Sequence, residues 1–344
     1  MLSLRILKIG CVVLLLGMVT ACGARKETTF SGATMGTTYH IKVVSGYFQR
    51  TAGLHQKIEA RLLEINQRLS LYVPESEINR FNALRNTKTK ISMSRDFYEV
   101  LKVGSRLYDL TKGAWDATVR PLVNLWGFGD TGNTTVVPNK AAIAERLKAV
   151  GFSAIMLSDG GVIQKKRPEL SLDLGSIAKG YGVDQIALLL KKEGFKDYLV
   201  EIGGEVYAGG LRKDGSPWRV GVNLPEKGAA LNAVYDIVAL SGMAIATSGD
   251  YRNFFEKGGK RYSHILNPKT GYPVDNGVVS VSIIAGTCTF ADGLATAGMV
   301  MGLKDGMSLV DGLEGVEALF IVQLQDHSLK AFASKGFSTY QPAE

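Results

Sequence analysis

The chain has 344 residues, 46% of them hydrophobic, and a net charge of +8 at pH 7. That is enough to bury a sizeable core, as one large domain or two intimate lobes. The basic excess suits anionic lipid or a phosphate-rich small molecule. Its short runs, "KGGKR" at 257–261 and "KKR" at 165–167, read as solvated loop charge, so no nucleic-acid partner is expected.

The chain opens like an exported protein. Arg5 and Lys8 precede an apolar run from Ile9 to Met18, the layout of a signal peptide over residues 1–21, too short for a comfortable membrane span. "VTAC" ends that run at Cys22 and resembles a bacterial lipoprotein box, in which lipid is attached to the cysteine after cleavage. The alternative is an ordinary signal with a chance cysteine. A lipid chain would tether the protein to a membrane without spanning it. Cys11 leaves with the signal, so Cys288 is the one free thiol and no internal disulfide is expected.

Residues 22–29 read as a polar tether, and 30–341 as the folded domain. Alternation over 35–44 predicts a strand. Leu54, Ile58, Leu62, Ile65 and Leu69 share one face of a helix, and Phe97, Val100, Leu101, Leu107 and Tyr108 mark a second, stopped near Gly113. A third helix follows Pro138 and runs to about Val150. "GVIQKK" and "ELSLDL" read as a strand pair, and "SIAKGYGVDQIALLLKKEG" as a helix ending at Gly194. Strands follow in "YLVEIGGEVYAGG", "WRVGVNL", "AVYDIVAL", "GMAIATSG" and 278–284. A helix over "FADGLATAG" (290–298) and a hairpin of "VEALFIVQ" and "LKAFAS" close the chain. The mixture predicts an α+β fold with antiparallel sheet covered by helices.

Several chemistries are missing from the sequence. His40, His55, His264 and His327 are scattered and no Cys-Cys or His-x-x-x-His pair occurs, which argues against zinc and iron–sulfur sites. There is no G-x-S-x-G elbow and no phosphate loop of the G-x-x-x-x-G-K-[ST] type. "GFGDTG" (127–132) spells G-x-G-x-x-G but neither follows a clear strand nor opens a helix, so it reads as a loop.

Four segments carry candidate chemistry. On a helix, Phe290, Leu294, Ala297 and Met301 face inward, while Asp292 and Thr296, one turn apart, point the other way. Both are hard oxygen donors suited to Mg²⁺ or Ca²⁺; Asp292 as an N-cap is the equal alternative. In "SLDLGSIAKGYGVD" (171–184), Asp173 faces opposite to Leu172 and Leu174, and the turn through Gly175-Ser176 opens a helix whose N–H groups favour phosphate, with Lys179 in its first turn. A purely structural junction explains the segment equally well. "GAWDATVRPLVNLWGFG" (113–129) pairs Trp115 with Asp116, which suits a ring with polar edges or, as readily, a buried indole beside a capping aspartate. His264, at a strand end before the turn "NPKTGYP", is a general-base candidate or a structural histidine. The paired glycines of "EIGGEVYAGG" (201–210) suggest a bulge, a close backbone approach or a twisted edge.

Taken in order, "GATMGTTY", "LSLYVPESEINRFN", "GAWDATVRPLVNLWGFG", "LDLGSIAKGYGVD", "IGGEVYAGG", "TSGDYRNFF", "SHILNPKTGYPV" and "ADGLATAGMVMG" resemble the ApbE family of FAD:protein FMN transferases over nearly the whole mature chain. The resemblance implies a fold related to the T-fold. It also implies an enzyme that binds FAD with Mg²⁺, cleaves the pyrophosphate, moves FMN onto a threonine of a target flavoprotein and releases AMP. The implied acceptors are subunits of membrane redox complexes, met by a lipid-anchored enzyme on the periplasmic side of the inner membrane, although Gly23 is not the aspartate often linked to inner-membrane retention. By the same resemblance Asp292 and Thr296 are metal ligands, with backbone oxygens of Ser176 and Ala295 near the ion. Met35, Tyr72, Ala114, Trp115, Asp116, Asp173, Lys179 and Ile265 match FAD-contacting positions, and His264 matches the base. Ser176 stands where many relatives have alanine or threonine, and Lys179 where some have glutamate. An FAD hydrolase and a non-catalytic flavin-binding protein are the alternative functions; Tyr72 argues mildly against the hydrolase. With negative groups converging, Asp292 is expected to have a raised pKa before metal binds.

Overall fold

The frame is one antiparallel sheet whose two faces follow from the two-residue period of its strands. The computed structural model describes residues 25–129, 136–226, 233–251 and 253–342. The expected signal peptide, Cys22 and residues 130–132 of "GFGDTG" lie outside them. The chain runs β1 (Lys26–Thr34), β2 (Thr37–Ser45), α1 (Leu54–Leu69), α2 (Glu77–Ala83), a short β3 (Ile91–Ser92) and α3 (Arg95–Leu110). It continues through α4 (Arg120–Leu125), α5 (Lys140–Leu147), β4 (Ile155–Ser158), β5 (Val162–Lys165), α6 (Ala178–Lys192), β6 (Asp197–Ile202) and β7 (Glu205–Gly209). Next come β8 (Trp218–Asn223), β9 (Val234–Leu240), β10 (Met243–Gly249), β11 (Phe254–Lys257), β12 (Lys260–Ser263) and β13 (Val278–Ala285), then α7 (Cys288–Val310), β14 (Glu317–Gln323) and β15 (Leu329–Ala333). Among the described residues no helix is long and apolar enough to cross a membrane.

Eight strands form the main sheet in the order β1-β2-β6-β7-β10-β13-β14-β15. Alternate residues such as Ile41, Val200, Ala246, Val281 and Phe320 pack into the core that α1, α3, α6 and α7 complete. Their neighbours Val44, Val206, Ile245, Ile284 and Leu319 pack into a second core with Trp218 and Val238 of the β8–β9 hairpin. β13 is therefore buried at every position. The expected helical cover holds for one face, and a hairpin covers the other. A third, small core of Leu122, Trp126, Ile143 and Leu266 sits beside the β11–β12 hairpin.

Four local expectations need correction. β1 begins at Lys26, inside the stretch expected as a tether, because it pairs with β2 along its whole length. "ELSLDL" is not a strand: β5 pairs with β3 and β4 instead. Gly160 and Gly161, both at positive φ, supply the turn to β4. The Leu172 and Asp173 N–H groups donate to Asn82 Oδ1 (2.7 Å) and the Ala117 carbonyl (2.7 Å), leaving no ladder to join. The paired glycines Gly203 and Gly204 form the tight β6–β7 turn, both at positive φ, rather than a bulge or an edge. Finally, α7 is buried on every side from Cys288 to Ala295, so Asp292 does not lie on a polar face. The small α2 and α4 were not expected from the sequence.

Candidate active site

The centre of the site is the crossing of α6 and α7. Gly180 allows it: a Cβ there would stand 2.4 Å from the Cys288 carbonyl oxygen and 2.9 Å from Asp292 Cβ. Thr287, the N-cap of α7, makes no side-chain capping bond. The cap comes from α6, where Asp184 accepts the N–H groups of Cys288 and Thr289, both at 2.8 Å, and the Thr289 hydroxyl. Asp292 thus sits in the second turn of α7, and the N-cap reading of it falls away. Its Oδ2 accepts the Gly180 N–H at 3.0 Å, a donor that a regular turn would hand to the Ser176 carbonyl. The small residues have packing roles of their own. Gly293 faces Leu107 and Trp115, and Gly298 faces Val281 and Phe320.

Three charges meet at this crossing. Lys179 Nζ lies 3.0 Å from Glu205 Oε1 and 3.9 Å from Asp292 Oδ1. Lys179 thus lies between two buried carboxylates. Burial works against the Lys179 ammonium, but Asp292 and Glu205 together hold its pKa above the ordinary range. Burial also pushes both carboxyls upward, against the pull of Lys179. The raised Asp292 pKa was expected, and its main cause is desolvation. Glu205 Oε2 is buried with no hydrogen-bond partner. Thr296, one turn beyond Asp292, shares a hydrogen bond with Ser248 of β10 (2.9 Å). One ammonium faces two buried carboxylates, an acceptor oxygen is unsatisfied, and the neighbouring donors are hydroxyl and carboxylate oxygens. Such a set fits a hard cation such as Mg²⁺.

The crossing forms the floor of a cleft of about 580 Å³. Met35, Tyr72, Ala114, Trp115, Asp116, Asp173, Ser176, Lys179, His264, Ile265, Asp292 and Thr296 all line it. Ala295, the remaining candidate, is fully buried on α7 between Asp292 and Thr296. Two hairpin tips shape one wall. Met35 holds φ 50° in the β1–β2 turn, an unusual conformation for a side chain of its size. Gly203 lies so close to Thr37 and Lys179 that a Cβ would meet Thr37 Cγ2 at 2.7 Å. Trp115 is buried, and its indole N–H donates to Ser176 Oγ at 3.1 Å. Asp116 caps the short turn after it: one oxygen accepts from the Thr118 N–H and hydroxyl, the other from the Phe152 N–H. The capping reading of this pair therefore describes its bonding, although both residues touch the cleft. Asp173 Oδ1 accepts the Gly175 N–H at 2.8 Å and so tightens the turn into α6.

His264 also lines the cleft, just after β12. Its Nδ1 is 3.0 Å from the Asn253 carbonyl, which can only accept, so Nδ1 carries the proton and Nε2 keeps its lone pair. Burial lowers its pKa, the carbonyl contact raises it, and the Lys179 charge adds to the lowering. Sequence reasoning passed over Glu205, Ser248 and Asp184. Glu205 follows the Gly203-Gly204 turn in a segment weighed only for its backbone, and only the folded chain brings it beside Lys179.

Known proteins point the same way. A family model described as the ApbE family matches residues 35–320. The FAD:protein FMN transferase of Vibrio cholerae serotype O1 is 40% identical over 337 residues, covering 96% of this chain and 98% of the relative. That of Haemophilus influenzae is 38% identical over 327 residues, 93% of each chain. The flavin transferase ApbE structure from Vibrio cholerae superposes with a TM-score of 0.84 at 40% identity, covering 92% of this chain and 100% of that one. The apo flavinyl transferase ApbE from Pseudomonas stutzeri gives 0.83 at 38% identity, covering 93% and 98%. By family match, identity and fold together, the chain belongs to the ApbE family of flavin transferases, enzymes with FAD as substrate.

Proposed function

We propose that this flavin transferase moves FMN from FAD to a threonine hydroxyl of an acceptor flavoprotein with release of AMP, and that the reaction depends on Mg²⁺. The observation that carries the reading is the convergence of Asp292, Thr296, Lys179 and His264 on one cleft. Asp292, Thr296 and the backbone oxygens of Ser176 and Ala295 would hold the ion, which when bound supplies charge neutralisation at the pyrophosphate. Met35 and Ile265 offer apolar surface to the flavin, and Trp115 and Asp116 fix the wall beside it. Lys179 adds a cation at the floor. His264 Nε2 accepts the proton of the threonine hydroxyl as its oxygen bonds to the flavin-side phosphorus. The phosphorus–oxygen bond to AMP then breaks. We further propose that the chain is exported, anchored by lipid at Cys22 on the periplasmic side of the inner membrane, and acts there on subunits of membrane redox complexes. The support for this is the signal and lipoprotein-box pattern of residues 1–22.

The test is incubation of the protein with FAD, Mg²⁺ and a threonine-containing acceptor domain, followed by mass spectrometry of the acceptor and assay of AMP. The expected result is an acceptor heavier by FMN, with AMP in equal amount, and loss of both when Asp292 is replaced by Ala in a folded protein. Free FMN without labelling would mean a hydrolase, and intact FAD a binding protein. Wild-type turnover in Asp292→Ala would reject the metal assignment.

A further inference from the structure

The end of the sheet farthest from the cleft carries an unusual surface. Tyr47 and Phe48, in the loop after β2, are 73% and 86% exposed and pack edge-to-face on each other, 5.1 Å between centroids, rather than on the core. Single exposed apolar side chains are ordinary; an adjacent aromatic pair at a loop tip is not. Basic residues gather around it. Lys26 starts β1 opposite Ser45, and Arg50 follows the aromatic pair around the same shallow depression. The C-terminal end of α6 lies alongside, since a Cβ on Gly194 would stand 3.8 Å from Gln49 Nε2, and it brings Lys191 and Lys192. All four cations are exposed. None forms a salt bridge among the described residues, whereas nearby Lys57 is paired with Glu193.

We infer that this end of the molecule rests on the interfacial region of an anionic phospholipid bilayer, with Tyr47 and Phe48 inserted at headgroup depth and the cations on lipid phosphates. Aromatic side chains favour that depth. Each basic side chain brought to an anionic surface strengthens binding roughly fivefold. Chain length agrees. Two residues lie between Cys22 and Arg25, three Cα–Cα steps with a reach of at most about 11 Å, so lipid at Cys22 and the aromatic pair can enter one leaflet together. The inference rests on the lipid-anchor reading above and adds an orientation to it. The Met35 turn and Lys179 mark the cleft at the other ends of β1 and α6. Nine strand residues span about 30 Å, so the cleft opens away from the membrane, toward acceptors in the aqueous phase.

The test uses the full acylated chain in vesicles of equal parts phosphatidylcholine and phosphatidylglycerol. Gly46→Cys and Tyr72→Cys variants each carry a fluorophore, and the unsubstituted chain serves as the blank because Cys288 is buried. Spin-labelled lipid should quench position 46 strongly and position 72 little. The difference should be lost in Arg50→Glu/Lys191→Glu/Lys192→Glu, in Tyr47→Ser/Phe48→Ser, and in vesicles of phosphatidylcholine alone. Equal quenching at both positions overturns the inference. So does a doubled mass with position 46 shielded in lipid-free detergent, which would assign the surface to a second copy. The mass of the Cys22 peptide reads the anchor separately. Acylated Cys22 with position 46 unquenched overturns the docking alone. Unmodified Cys22 overturns the anchor, and quenching at position 46 then still decides the docking.

Discussion

His264 shows how a residue ambiguous in sequence acquires a direction in the fold. A histidine before a turn can be a base or a structural group. The Asn253 carbonyl, 3.0 Å from Nδ1, fixes the tautomer and leaves Nε2 as the basic atom. Burial, reinforced by the Lys179 charge, holds the pKa below its ordinary value near 6.5, so the ring is neutral at pH 7 and ready to accept a proton. Protonation removes that capacity. The transfer rate should therefore be flat through neutral pH and fall only as pH drops through the lowered His264 pKa. In His264→Ala the rate should fall by about 10²–10⁴-fold, with FAD affinity nearly unchanged and the acid limb gone. Single-turnover rates across pH, with FAD binding by fluorescence, check this. A parallel loss of FAD affinity would make His264 a binding residue instead.

The helix pair α6–α7 governs the site at the next scale. Gly180→Ala places a methyl 2.4 Å from the Cys288 carbonyl, so the helices must separate, and Lys179 must move from Asp292 with them. Such overpacking costs about 1–3 kcal/mol, and transfer activity should fall well beyond what the lost stability explains. A melting curve beside an activity assay separates the two; full activity would show that the crossing tolerates the shift. Asp184→Ala removes the cap of α7 and strands two backbone donors, a loss of about 2 kcal/mol measurable as a lower denaturant midpoint. How much of this was legible in sequence follows from the kind of signal each feature leaves. The apolar stripe of Leu54, Ile58, Leu62, Ile65 and Leu69 named α1 with its buried face, because periodicity is local. Asp292, Thr296 and Lys179 stood out as polar groups in small-residue segments. The Asp184 cap spans 104 residues, the Asp292–Gly180 bond 112, and the strand partner of "GVIQKK" was set by the turn at Gly160-Gly161. Pairings of that kind leave no period to read.

Across the whole molecule, one polar knot ties the helical layer that covers the sheet. Asp96 of α3 accepts from Arg61 of α1 at 2.8 and 2.5 Å and from the Tyr181 hydroxyl of α6 at 2.7 Å. Arg61 also reaches Gln185 of α6 at 2.7 Å. Three helices distant in sequence are thereby held in one arrangement, and α6 carries Lys179 and Asp184 to the site. Burial alone would raise the Asp96 pKa, but the bonds from Arg61 and Tyr181 and the Arg61 charge outweigh it and hold the value below the ordinary carboxyl range. The sign follows from linkage. A depressed folded-state pKa contributes stability that is fully present above the unfolded value near 3.9 and is lost as pH falls through the folded value. Asp96→Asn keeps the shape but removes the charge, leaving Arg61 without its bidentate partner. At neutral pH it should destabilise the protein by roughly 2–3 kcal/mol. That gap should narrow only below about pH 4 and close once the wild-type carboxyl is itself protonated. Denaturant midpoints of both proteins across an acid series measure the gap directly. A difference that stays constant with pH would mean that the knot acts by shape alone and that its charge adds nothing to the helical layer.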